Sequence, residues 1–323
     1  MSGEPLLQVR DLKAYYRTLK GPVRAVDGVD LTVMPGEVYG IAGESGCGKS
    51  TLTKAVLQLL RAPGYIAGGT LSFQGQNLLE LGEDALRRLR GSGMSYVPQS
   101  SMNALNPVMR IAEQIGDAIL AHVSMSRPEV RRRCAELLDL VGLPERSARM
   151  YPHELSGGMR QRAVIAISIA LGPRLIVADE PTTALDVVTQ RGILVALGDI
   201  KARLGAAIVL ISHDLAVHAE IVDRLMIMYA GKVAEVGTVL DVFEDPLHPY
   251  SKVLVAAIPS IEERREISGL AGQPPNLLTP PKGCRFQPRC PRATSRCADY
   301  DPPLREVKPG RFVACVLYEE QSA

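Results

Sequence analysis

The spacing of apolar residues changes period several times along the chain. Residues 38–42 form a short apolar run that stops at a glycine-rich loop, and residues 49–60 beyond it are rich in helix formers. Pro98 and Pro107 bracket a Ser/Asn-rich turn region. Helical spacing then takes over: Val130, Cys134, Leu137, Leu138 and Val141 fall at i, i+4, i+7, i+8 and i+11, one face of a helix. Arg131, Arg132 and Arg133 spread around the other sides and read as a solvated face rather than a binding patch. Residues 159–171 are apolar nearly all round, which predicts a buried helix. Residues 175–178 and 207–211 read as buried strands, and Ile193, Leu194, Leu197, Ile200 and Leu204 mark an amphipathic helix between them. Alternating β and α segments imply an α/β fold with a parallel sheet covered by helices. Residues 225–229 and 232–236 flank Ala230-Gly231 and predict a hairpin.

Composition changes near residue 245. Prolines crowd the chain from Pro246 to Pro309, so this stretch is not expected to continue a helix–sheet core and needs another source of order. The boundary falls at about 245–260, giving a main domain over 1–250 and a Pro/Cys-rich extension over 251–323. With 46% hydrophobic and 22% charged residues, the 323-residue chain can bury a core and is not globally disordered. Its 37 Lys+Arg against 35 Asp+Glu leave +2, no drive toward nucleic acid. Aromatic residues are 4% with no Trp, which argues against stacking platforms for single strands. Residues 1–10 lack a basic and apolar secretory leader, and the most apolar stretch, 163–171, is far short of the ~20 residues a membrane span needs. The expectation is a soluble, cytosol-type protein.

GESGCGKST at 43–51 fits G-x-x-x-x-G-K-[ST] between a predicted strand and a predicted helix, the context that this motif requires. Gly43, Gly46 and Gly48 permit backbone conformations that aim successive N–H groups at phosphate oxygens, and the helix start adds its positive end. Lys49 would reach the β/γ phosphates and the Ser50 hydroxyl would ligate Mg²⁺, whereas Cys47 reads as a small loop residue and not a nucleophile. LIVADE at 175–180 delivers two carboxylates at the end of a buried strand. Asp179 can hold Mg²⁺, directly or through water, and Glu180 can polarise a water for attack on the γ-phosphate. LSGGMRQR at 155–162 is a second anion-binding candidate, with Ser156 as N-cap and Gly157-Gly158 leaving N–H groups accessible. Two phosphate-seeking loops on one chain suggest a dimer in which each loop completes the partner's site.

Over residues 6–260 these segments resemble, in family order, the nucleotide-binding subunit of an ATP-binding cassette (ABC) transporter. The family's signature sequence matches residues 155–161, its glutamine loop Gln99 in YVPQS, its D-loop ALD ending at Asp186, and its switch histidine His213 in ISHD. The adenine-stacking aromatic falls at Tyr16, with Tyr15 as an alternative. The resemblance implies a P-loop NTPase fold with an antiparallel β subdomain and an α-helical subdomain at about 100–160. It implies that Gly43, Ser45, Gly46, Cys47, Gly48, Lys49, Ser50 and Thr51 contact ATP. Two such domains would close head to tail around two ATP molecules, with Ser156, Gly158 and Asp186 serving the nucleotide of the opposite subunit. Gln99 would sense Mg²⁺ and the attacking water while linking to the membrane subunit, and His213 would contact the γ-phosphate.

Cys284, Cys290, Cys297 and Cys315 lie in the Pro-rich tail, separated by 5, 6 and 17 residues (285–289, 291–296, 298–314). Cytosolic thiols stay reduced, which disfavours a disulfide, and structural zinc usually takes tighter C-x₂₋₄-C pairs. Spacing leaves an iron–sulfur cluster, zinc and unligated thiols all open. Arg285, Arg289, Arg292 and Arg296 crowd the cysteines and are expected to favour thiolates. GCRFQPRCP at 283–291, with His248-Pro249-Tyr250 upstream, resembles the C-terminal region of oligopeptide/dipeptide transporter ATPases, some of which carry a [4Fe–4S] cluster on such cysteines. That resemblance implies a peripheral subunit at the cytoplasmic face of the inner membrane. It would power peptide import with a second cassette (identical or a paralogue), two permease subunits and, indirectly, an extracytoplasmic binding protein. The docking groove would lie near Gln99 and the 100–155 segment. Related ATPases serve nickel or oligosaccharides, and soluble ABC ATPases act on ribosomes or nucleic acid; the near-neutral charge and single cassette argue against the latter.

Overall fold

The computed structural model describes residues 3–99, 104–258 and 270–319. In chain order its elements are β1 (Leu7–Thr18), β2 (Gly21–Val33), β3 (Val38–Ala42), α1 (Lys49–Val56), β4 (Gly64–Phe73), β5 (Gln76–Asn77), α2 (Glu83–Leu89) and β6 (Met94–Val97). There follow α3 (Ile111–Leu120), α4 (Arg127–Leu140), α5 (Gly157–Ser168), β7 (Leu175–Asp179), α6 (Val187–Leu204), β8 (Ala207–Ile211) and α7 (Leu215–Ile221). The chain ends with β9 (Arg224–Tyr229), β10 (Lys232–Thr238), α8 (Val239–Glu244), α9 (Pro249–Ala256), α10 (Arg296–Asp299), β11 (Arg305–Lys308) and β12 (Arg311–Val313). Residues 100–103, which open the expected helical subdomain and docking groove, and the Pro259 neighbourhood at the expected boundary lie outside the described residues. Two compact units form, one from residues up to Leu6 with 34–37 and 80–211, the other from 7–33, 38–79 and the chain from Ser212 onward.

In the first unit β6, β7 and β8 run parallel, with Leu175 opposite Ala207 and Asp179 opposite Ile211. All five positions of β7 and of β8 are buried, which is why both read as unbroken apolar runs instead of alternating ones. Each fully buried Ile, Leu or Val here contributes about 1.5–3 kcal/mol. Helix α4 follows a reciprocal cap: the Ser126 N–H and hydroxyl both donate to Glu129, at 2.8 and 2.7 Å. It buries Cys134, Leu137 and Leu138, followed by Val141, and leaves Arg131 and Arg132 exposed. Helix α5 starts two residues ahead of the apolar run because Ser156 caps it, its Oγ accepting from Met159 N at 3.2 Å.

In the second unit the antiparallel order is β2-β1-β4-β5. Separately, β3 runs parallel to β9, and β9 turns through Ala230-Gly231 into β10 as the expected hairpin. The turn works because Ala230 and Gly231 take φ of 47° and 85°. Helix α1 stops at Val56, earlier than its composition suggested, where Gln58 adopts φ 53° and its Nε2 donates to Ala55 O.

The Pro-rich tail does more than expected. β12 pairs with β10, Glu235 opposite Val313, and β11 pairs with β12, so the tail extends the sheet that its proline content argued against. Its two strands avoid the prolines, which sit before them and in the turn between them. Arg311 on β12 is buried and faces Glu235 at 3.6 Å, Asp241 at 3.8 Å and Asp245 at 3.1 Å. Burial pushes the Glu235 carboxyl up, opposed by N–H donors from Leu247 and His248 and by the Arg311 charge. Removing one partner of a buried pair strands the other, so Arg311→Ala is expected to cost about 3–5 kcal/mol, read as a fall in the denaturation midpoint. A midpoint unchanged from the parent would show that the pair carries no net stability.

Candidate active site

The phosphate loop belongs to the second unit. A Cβ at Gly43 would lie 2.1 Å from Met228 O, and one at Gly48 would lie 2.1 Å from Ala25 O, so both positions exclude every other residue. Gly46, at φ 79°, faces open space. Lys49 is buried, and its Nζ donates to Gly43 O at 2.7 Å and Glu44 O at 3.1 Å, folded back across the loop. No acidic side chain stands in the first turn of α1 and Gly48 makes no side-chain cap, so the positive end of the helix is not offset by a carboxylate there. Cys47 is buried and its thiol pushed up by that burial, which fits a packing residue rather than a nucleophile. Ser45 is exposed, and Ser50 and Thr51 are half-buried in the loop and first turn. Tyr16 Oη lies 3.2 Å from Thr51 Oγ1 beside that turn. Tyr15 instead donates to Asp27 at 2.5 Å, and burial with that bond pushes its hydroxyl up to about 12. Of these two tyrosines, Tyr16 is the one that reaches the first turn of α1.

In the first unit Asp179 and Glu180 occupy opposite environments. Asp179 ends β7 fully buried, accepting from Tyr96 Oη at 3.1 Å. Burial and the Asp179 charge raise the Tyr96 hydroxyl pKa, so it stays a donor. Glu180 follows in the left-handed region at φ 50°, a conformation that costs a non-glycine residue of order 1–3 kcal/mol. That twist turns its carboxylate to accept from Gln99 Nε2 at 2.7 Å and Thr183 Oγ1 at 3.0 Å. The expected glutamine and carboxylate thus meet, while Tyr96 was not singled out by the sequence.

Ser156 and Gly158 both sit in the first turn region of α5, and a Cβ on Gly158 would lie 2.3 Å from Thr189 Cγ2. Gly158 is therefore required by the packing of α6 as well as by any anion. Asp186 caps α6, accepting from Thr189 N at 2.9 Å and Thr189 Oγ1 at 2.7 Å, bonds that hold its carboxyl below the usual range. His213 is exposed in the bend after β8, one residue before Asp214, the cap of α7.

All four tail cysteines line one cavity in the second unit, with His248, Phe286 and Arg292 among its walls. Cys284 N donates to Cys297 O at 3.0 Å and Tyr300 O at 3.1 Å, and a Cβ on Gly283 would lie 2.4 Å from Cys297 O, so the segments are drawn close. None of the four is in a disulfide. Among the described residues no group of three or more His, Cys, Asp or Glu is arranged to hold a single metal ion. The arginines do not do what the sequence suggested. Arg285 pairs with Asp27 and Ala230 O, Arg289 with Glu44, and Arg296 with Glu319, leaving Arg292 at the cavity. Burial dominates instead: Cys290 and Cys315 are pushed up and Cys284 is raised to about 11.

A buried lysine held across a glycine loop at the start of a helix is the P-loop arrangement, and with it the chain is built as a P-loop ATP-binding cassette. The family described as ABC transporter matches residues 26–183, and that described as oligopeptide/dipeptide transporter, C-terminal region, matches residues 234–297. The chain is 45% identical to the oligopeptide transport ATP-binding protein OppD of Escherichia coli strain K12 over 315 residues, 97% of this chain and 93% of that protein. It is 42% identical to the oligopeptide transport ATP-binding protein AppD of Bacillus subtilis strain 168, covering 98% of each. Among solved structures, the dimeric post-hydrolysis state of the ATP-binding cassette MJ0796 bound to ADP and Pi matches with a TM-score of 0.65 and 29% identity, over 72% of this chain and 98% of that one. The chain belongs to the ATP-binding subunits of ABC transporters, in the oligopeptide/dipeptide transporter family. No helix among the described residues is long and apolar enough to cross a membrane.

The raised cysteine values carry a pH expectation. With the Cys284 pKa near 11, roughly one thiol in a thousand is ionised at pH 8, so alkylation of metal-free protein should be slow there and accelerate about tenfold per pH unit. Peptide mass spectrometry after timed iodoacetamide treatment measures this. A Cys284 rate that is flat from pH 8 to 10 would contradict it.

Proposed function

We propose that this chain hydrolyses ATP to power the import of di- and oligopeptides through a membrane permease, acting as a peripheral subunit on the cytoplasmic face of the inner membrane. It would pair head to tail with a second cassette, identical or a paralogue, on two permease subunits fed by an extracytoplasmic binding protein. The observation that carries the chemistry is the Gln99–Glu180 contact beside the buried Asp179. The peptide cargo rests on the nearly full-length relatives named as oligopeptide transport proteins.

Each group has a role in this reading. Backbone N–H groups of the 43–51 loop and Lys49 offset charge on the phosphates. Asp179 and Ser50 are assigned to Mg²⁺; a buried carboxylate and a helix-start hydroxyl are the hard oxygen donors this ion takes. Bound there, Mg²⁺ would neutralise phosphate charge. Glu180 orients a water whose oxygen bonds to the γ-phosphorus as the bond to the β,γ-bridging oxygen breaks, giving ADP and phosphate, with the water's proton passing toward the carboxylate. Tyr16 stacks on adenine, His213 contacts the γ-phosphate, and Ser156, Gly158 and Asp186 serve the partner's nucleotide. Glu180→Gln keeps the shape and loses the charge. It should bind ATP and accumulate as a closed dimer by size-exclusion chromatography, with turnover reduced at least 100-fold; near-parental turnover removes Glu180 from the step.

We assign the four tail cysteines to a [4Fe–4S] cluster. Four sulfur donors around one cavity, Cys297 buried and Cys284, Cys290 and Cys315 half-buried, suit a soft-metal group. One zinc with 2.3 Å bonds would draw four sulfurs to about 3.8 Å of one another, whereas a cube of iron and sulfide holds its ligands further apart. The group's contribution would be to cross-link the tail segments. Anaerobically purified protein should contain about four iron and four acid-labile sulfide per chain, absorb near 400 nm, and lose both with Cys290→Ser. Colourless, iron-free protein from that preparation overturns the assignment.

A further inference from the structure

Arg289 lies in the cysteine-bearing tail, yet its side chain is 5% exposed and reaches a residue of the phosphate loop 245 positions earlier. All five of its N–H donors have partners. Nη1 donates to Glu44 Oε2 at 2.8 Å and Tyr229 Oη at 3.1 Å, Nη2 to Glu44 Oε1 at 3.0 Å and Leu270 O at 3.3 Å, and Nε to Ala271 O at 3.0 Å. The grip on Glu44 is two-pronged, the geometry that fixes direction as well as distance. Glu44 is held at a second point, its N–H donating to the buried Tyr250 Oη at 2.9 Å. Its carbonyl in turn accepts from Lys49 Nζ.

A second tie runs alongside. Buried Arg285, next to Cys284, donates to Ala230 O, while Gly231 N donates to Cys47 O at 2.8 Å. The segment that carries Cys284 and Cys290 therefore holds the loop directly at Glu44 and, through the β9–β10 turn, at Cys47. Tyr229, Tyr250 and Phe286 fill the space between, with ring centroids 4.7–5.3 Å apart.

We propose that Arg289 is a positioning residue for nucleotide binding. Its fork on Glu44 sets the backbone of the phosphate loop and the resting place of Lys49, so the affinity of this chain for ATP depends on the seating of its own cysteine-bearing tail. The proposal rests on the ATP-binding reading of the loop. A glue role alone, tail onto body, would change how much protein folds but not how tightly the folded fraction binds.

The test is equilibrium binding of a fluorescent ATP analogue with Mg²⁺ to full-length parent, Arg289→Ala, Arg289→Lys, Glu44→Ala and the double alanine variant, with steady-state ATPase kinetics on each. Arg289→Ala should raise Kd and KM about tenfold, 1.4 kcal/mol, with kcat falling less than twofold. Lysine supplies charge without the fork and should recover only part of the affinity. The double variant should bind no worse than the weaker single one, because both lose the same contact. Arg289→Lys, the mildest change, keeps the test readable should the alanine variants misfold. If the parent binds and all variants keep Kd within twofold, or only the active fraction drops, the proposal is overturned while the ATPase reading stands. A parent that takes up no ATP overturns both.

Discussion

The backbone of the phosphate loop passes so close to its neighbours that side chains are forbidden at two points. Met228 O and Ala25 O each occupy the space a Cβ would need at Gly43 and Gly48. A loop pressed this tightly between β2 and β9 is held in place, with its Glu44 N–H tied to Tyr250 Oη at 2.9 Å and its Cys47 N–H to Glu44 O at 3.2 Å. The other arrangements of this unit follow from it. The Ala230-Gly231 turn must take positive φ to approach the loop, Gly231 N then reaches Cys47 O, and Asp27 N reaches Gly231 O at 2.9 Å. Lys49 has two carbonyls waiting at short range because 43 and 44 cannot move away.

What is legible in the sequence is local. GESGCGKST and LIVADE each carry their meaning within a few residues, because a strand, a sharp turn and a helix start are set by neighbours in sequence. Buried strands β7 and β8 and the α4 face were legible for the same reason. The shared cavity of the four cysteines was open to inference from residue type, but not the environment that raises their pKa. Long-range ties left no trace. Glu44 drew no reading of its own and Arg289 looked like one of several arginines helping thiolates, and only folding shows that they pair with each other. The pairing of β12 with β10 was hidden by the prolines around it, since composition averages over a segment whereas a ladder needs only a few proline-free residues.

Several motif residues have two reasons to be what they are. Gly158 makes room for Thr189 of α6, and Asp186 caps that same helix through Thr189. Ser156 caps α5. These residues would be needed for packing and capping even without a ligand, so their presence alone argues less for chemistry than the motif suggests. The groups lacking such an internal explanation weigh more. Gln99 is exposed and holds no helix end, yet it points its amide at Glu180.

Glu180 makes the same argument from strain. A residue in the left-handed region with a branched-off carboxylate is not chosen for stability, since glycine or asparagine would sit there at lower cost. Continuing β7 for one more residue would have kept ordinary backbone angles, but alternation along the strand would then fix the direction of its side chain relative to Asp179. The turn at φ 50° breaks that alternation. It leaves one carboxylate buried against Tyr96 and frees the next to meet Gln99 and Thr183. Two chemically similar acids, adjacent in sequence, thereby acquire different surroundings, one closed in beside the Tyr96 hydroxyl and the other half-exposed between Gln99 and Thr183.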